Sequence, residues 1–154
     1  MSAPGALLVP YDFTLDSAAA LAIARVLAAG RGSSLHIVHV IGPCVEPGPA
    51  GRSVSPASRT SAQMRKAAEC ALEEILDRVD LPRAPVLAHV IESDDAIAAI
   101  ADLAEKLGVD LVVMGKTCAR LGLSHGFPGR VVERKLWGVP CSVLWVRAGA
   151  EFST

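Results

Sequence analysis

Short apolar runs alternate along the chain with longer segments in which apolar residues recur at helical spacing. Ala6-Leu7-Leu8-Val9 is too short for a helix and ends at Pro10, which predicts a buried strand over 6–9. Residues 12–16 supply turn and cap chemistry for an alanine-rich helix over 17–29, with Gly30 and Gly32 expected to stop it. Leu35-His-Ile-Val-His-Val-Ile41 is compact and β-branched, a second strand. Over 42–61 the composition turns to Gly, Pro, Ser and Arg without apolar periodicity, the mark of a long surface loop. Met64, Ala68, Leu72, Ile75 and Val79 then fall on one face of a helix over 62–79. A third strand is predicted at 86–91. Ser93, Asp94 and Asp95 can cap a helix over 96–107 that Gly108 ends. Residues 110–114 make a fourth strand. A stretch with Gly115, Gly122 and Gly126 follows, then a short helix over 129–136 and a fifth strand from Cys141 to Val146.

The order is therefore β-α-β-α-β-α-β-α-β in one domain over 1–154. Apolar strands separated by helices predict an α/β fold with a doubly wound parallel sheet covered on both faces. Ligands in such sheets bind beyond the carboxyl ends of the strands, where the connections change sides. That places function after the first and fourth strands, in 10–14 and 115–130.

Composition narrows the class. The chain has 154 residues and a formal net charge of -1, which argues against a general nucleic-acid binder. Six residues are aromatic and twenty-five are alanine, which favours close-packed helices over a stacking platform. No apolar run approaches the roughly 20 residues that span a bilayer, and the first five residues lack signal-peptide character, so the expected compartment is the cytoplasm, with no membrane contact. Cys44, Cys70, Cys118 and Cys141 include no CxxC pair, so neither a zinc ribbon nor a redox motif is present.

Four segments now carry a family resemblance: Leu8-Val-Pro-Tyr-Asp-Phe-Thr14, Leu35-His-Ile-Val-His-Val40, Asp110-Leu-Val-Val-Met-Gly115 and Val139-Pro-Cys-Ser-Val-Leu-Trp-Val-Arg147. In order and spacing they resemble the framework motifs of the universal stress protein family. The resemblance implies a five-stranded sheet of order 3-2-1-4-5 and a homodimer made by pairing the last strand with its symmetry mate. It also implies a nucleotide site. Nucleotide-binding members share a loop of pattern Gly-x2-Gly-x9-Gly-[Ser/Thr] after the fourth strand, with phosphates on its amides and adenine against the ends of the first two strands. Carried across, Pro10, Asp12 and Val40 match the adenine and ribose side, with Tyr11 between them. Met114, Gly115, Gly129 and Val131 match the loop and the helix start. ATP or ADP is the implied ligand, with Mg²⁺ as a possible companion.

Three departures fall on the phosphate half. Cys118 stands where the second glycine is expected, the spacer to Gly129 is ten residues instead of nine, and Arg130 replaces the hydroxyl residue. A side chain at Cys118 narrows the approach of phosphate to backbone, and the lost hydroxyl removes a ligand. Against this, no acidic residue lies between Gly115 and Arg130, whereas Lys116, Arg120 and Arg130 are basic. Arg130 in a first helical turn can add a charge-assisted phosphate contact. It can equally fill the vacant pocket.

Each feature has a plainer reading beside it. Asp12 can serve as a turn or cap acceptor, and the three basic residues can form an ordinary solvated loop. His36 and His39 are three apart on a strand, point to opposite faces and cannot chelate one ion together; with His89 they read as hydrogen-bonded core histidines, leaving His125 as the loop histidine to test. No P-loop, GxSxG or HExxH motif is present, so the chain reads as a binding module and not an enzyme, with slow ATP hydrolysis through Asp12 left open. The alternative is a nucleotide-independent dimer acting through an unknown protein partner. Trp145 lies in the apolar last strand, which is an aggregation hazard unless paired. It can instead pack under the residues that follow.

Overall fold

A computed structural model of the chain describes residues 5–42, 61–116 and 141–149. In chain order these form β1 (Ala6–Pro10), α1 (Leu15–Arg31), β2 (Ser34–Ile41), α2 (Ser61–Arg78), β3 (Val86–Glu92), α3 (Ala96–Leu107), β4 (Leu111–Gly115) and β5 (Ser142–Val146). The predicted loop over 42–61 and the predicted helix over 129–136 lie almost wholly or wholly outside the described residues. All five strands are parallel in one sheet of order β3-β2-β1-β4-β5.

Strand alternation divides the core into two layers. Leu7, Val9, Leu35, Ile37 and Val113 pack with Ala20, Ala24 and Ala28 of α1 and Leu72 of α2. Ala6, Leu8, Val38, Val112 and Met114 point the other way, onto Ile97, Ile100, Ala101 and Ala104 of α3. The central strand β1 is buried throughout, which is why it reads as an unbroken apolar run; the edge strand β3 has no fully buried residue.

The helix ends differ from the sequence reading in instructive ways. Helix α1 begins at Leu15, because Thr14 is its N-cap and accepts the Ser17 amide. It also runs through Gly30. The stop is Gly32, at φ 67°, whose amide returns to the Ala28 carbonyl; a glycine with helical φ weakens a helix but does not end it. Asp95 and Gly108 bound α3 as predicted. Asp110 stands just before β4: its backbone amide pairs with the Ala6 carbonyl, and its carboxylate meets Arg31 at 3.1 Å.

Candidate functional site

The crossover through α1 leaves β1 toward β2, whereas β4 lies on the other side of β1. The carboxyl ends of β1 and β4 therefore frame a switch point, the place where open parallel sheets take ligands. Pro10, Val40 and Met114 are contributed by three different strands. Register and alternation bring all three to the α3 side: Pro10 stands opposite Val38, two residues before Val40, and both Val40 and Met114 pack in the α3-side cluster. Tyr11 turns the other way and packs against the α1 and α2 layer. Burial, then the neighbouring Asp12 charge, raises its phenol pKa.

Asp12 sits in the short link from β1 to α1, and its Oδ1 accepts both the amide of Thr14, at 3.1 Å, and the Thr14 hydroxyl. This fulfils the turn reading with one oxygen. Oδ2 accepts no hydrogen bond among the described residues, so the carboxylate keeps an acceptor for a ligand hydroxyl or amine. Between them Phe13 adopts φ 62°, a left-handed conformation that an L side chain takes up at a cost of about 1–2 kcal/mol. Its ring meets Tyr11 at 5.2 Å and His39 at 5.0 Å, edge to face. His39 Nδ1–H donates to the Tyr11 carbonyl at 2.7 Å, fastening β2 to the start of the link. Sequence reasoning passed over Phe13. Its signal was the placing of Tyr11 and Phe13, two of only six aromatic residues, on either side of Asp12.

On the β4 side, Gly115 lies against the first turn of α1. A Cβ there would stand 2.9 Å from the Asp16 carbonyl carbon, the Asp16 Cβ and the Ser17 nitrogen, so only glycine lets the strand end approach this closely. The Lys116 amide donates to the Val146 carbonyl at 2.7 Å. Asp16 is a second residue that sequence reasoning left as generic cap chemistry. It is 7% exposed and accepts the Ala148 amide at 2.7 Å. Cys118, Arg120, Gly129, Arg130 and Val131, with His125, lie outside the described residues. Among the described residues, no three His, Cys, Asp or Glu side chains gather as a metal site, and no helix is long and apolar enough to cross a membrane.

A family model, that of the universal stress protein family, matches residues 5–147. The chain belongs to that family. Solved universal stress proteins share its fold. One, in complex with cAMP, superposes with a TM-score of 0.64 at 22% identity, covering 96% of this chain and 100% of its own. Another, from Burkholderia pseudomallei, gives 0.62 at 21% identity over 92% and 95%. A third, from Archaeoglobus fulgidus in complex with dAMP, gives 0.54 at 17% identity over 95% and 99%. No curated protein sequence matches the chain significantly. At these identities the structural likeness establishes the five-stranded α/β fold of universal stress proteins.

Proposed function

We propose that this universal stress protein is a cytoplasmic, homodimeric binding module whose state responds to an adenine nucleotide, ATP or ADP, rather than an enzyme. The observation that carries the reading is the convergence of Pro10, Val40 and Met114 on one face at the switch point, beside an Asp12 carboxylate with a spare oxygen. An apolar floor of this kind accepts a purine ring, and Oδ2 can accept from a ribose hydroxyl or an exocyclic amine. Relatives of the same fold in complex with cAMP and dAMP support adenine as the base.

The phosphates then extend toward Gly115 and Lys116 and onto Cys118, Arg120, Gly129, Arg130 and Val131. Lys116, Arg120 and Arg130 supply the charge that the missing loop hydroxyl does not, with Mg²⁺ as a further counter-charge on the phosphates. The dimer forms through β5, an apolar edge whose far side no described strand pairs. Thermal-shift titration tests the reading: ATP and ADP raise the melting temperature and GTP does not, because the floor and Asp12 select the base.

Cys118, the ten-residue spacer and Arg130 favour a second reading in which the site has lost its nucleotide and the dimer alone engages a protein partner. Equal indifference to ATP, ADP and GTP would select it.

A further inference from the structure

His36 and His89 form a side-chain pair that the nucleotide site does not use. They lie on β2 and the edge strand β3 in a diagonal relation, since the register sets His36 opposite Leu87 and Val38 opposite His89. His36 Nδ1 and His89 Nε2 are 3.0 Å apart, and the rings are stacked with centroids at 5.2 Å and planes 25° from parallel. Ser34 Oγ lies 3.3 Å from the other nitrogen of His36, Nε2. His36 is 8% exposed and His89 is half-buried. Ser34 on β2 and the partner ring are the polar groups that face the pair within the sheet, and from α3 the charge that acts on it is Lys106. Burial lowers the pKa of both rings. The His89 ring adds to this on His36, and Lys106 adds to it on His89.

Counting protons over these atoms shows two regimes. In the neutral pair, one hydrogen lies between Nδ1 of His36 and Nε2 of His89. A first added proton can sit on His36, which then donates Nδ1–H to His89 and Nε2–H to the Ser34 oxygen, so the bond between the rings survives. A second proton puts N–H against N–H at 3.0 Å and two cations side by side near Lys106. The bond is then lost and the charges repel in a partly dry site.

We propose that the His36–His89 pair is an acid-operated latch on the sheet edge, closed while it carries no more than one added proton and releasing the corner of β2, β3 and α3 when it takes the second. Because the folded pKa values lie below the unfolded one, the latch is at full strength above about pH 6.5 and weakens as pH falls through the lowered folded values. Edge strand β3 is the element positioned to respond, being held by β2 on one side only.

Two measurements on the full chain test this. In the unmodified protein, nitrogen NMR of the imidazoles across the acid range should show the two rings titrating as a coupled pair, with the second step below the ordinary histidine range. Independent titration of each ring at the ordinary value overturns the proposal. Hydrogen exchange, corrected for intrinsic rates, should show β3 amides losing about tenfold more protection than β4 amides between pH 7 and pH 5. In His89→Gln, which leaves His36 a polar partner but no second proton site, that excess should vanish. An unchanged excess in His89→Gln overturns the latch, and the ring titration decides alone if this variant does not fold.

Discussion

Asp16 Oδ1 accepts the amide of Ala148 at 2.7 Å across 132 positions of chain, tying the first turn of α1 to the segment that leaves β5. The carboxylate is buried at a helix N-terminus, where negative charge is favourable. With the Lys116 amide on the Val146 carbonyl, it holds the exits of β4 and β5 and the start of α1 at one point.

Removing that acceptor leaves the part-buried Ala148 amide without this partner. Asp16→Ala should lower unfolding free energy by about 1.5–3 kcal/mol, the range for a hydrogen bond to a charged group. Asp16→Asn should cost less, because its amide oxygen still accepts. Urea unfolding of the two variants checks the order, and equal stability would show that the bond carries nothing.

Glycine to alanine should change sign with position. Gly115→Ala drives a methyl to 2.9 Å from α1 backbone, and overpacking of this kind costs about 1–3 kcal/mol. Gly30→Ala, inside α1 with nothing within 4 Å of the added carbon, should instead stabilise by about 0.5–1 kcal/mol. Thermal melts of both variants make the comparison, and a shift in the same direction would contradict the packing described at Gly115.

Thr14 caps α1 and donates its hydroxyl to Asp12. Thr14→Ala should cost about 1 kcal/mol through the cap alone. It should also leave Asp12 Oδ1 held by the Thr14 amide without the hydroxyl, so that nucleotide affinity falls through a looser carboxylate while Thr14→Ser retains it. Calorimetry on the two variants separates these effects, and parallel losses of affinity in both would remove the hydroxyl from the account.

The departures in the phosphate loop are open to reversal. If Cys118 and Arg130 merely impair the site, Cys118→Gly combined with Arg130→Ser should tighten ATP binding by about tenfold, or about 1.4 kcal/mol. Weaker binding would instead identify Arg130 as a rebuilt phosphate ligand.

The sheet was legible because its signals are local. Leu7 to Val9 and Val112 to Met114 are apolar runs of the kind a doubly covered parallel strand carries, and Asp95 and Gly108 bracket α3 with their own cap chemistry. Gly30 misled because a glycine announces a stop only through its φ, which the neighbours set. Of the candidate site, the positions in the fold were legible in part. Pro10 and Val40 fall near the ends of β1 and β2 and Asp12 in the link that follows β1, as motif and strand end imply, whereas Tyr11 faces the opposite layer, a consequence of alternation past Pro10. Phe13 and Asp16 acquire their roles from partners on β2 and beyond β5, contacts across the fold that no local pattern encodes. The His36–His89 pair likewise depends on register between two strands.

The central claim is adenine-nucleotide binding at the switch point, and calorimetric titration of nucleotide-stripped protein with ATP, with and without Mg²⁺, tests it most directly. Saturable binding in the micromolar range is the predicted result, and at ~100 times the dissociation constant ATP should add about 2.7 kcal/mol of stability. An absence of heat, together with an unchanged melting temperature at millimolar ATP, would contradict the account and favour the nucleotide-independent reading.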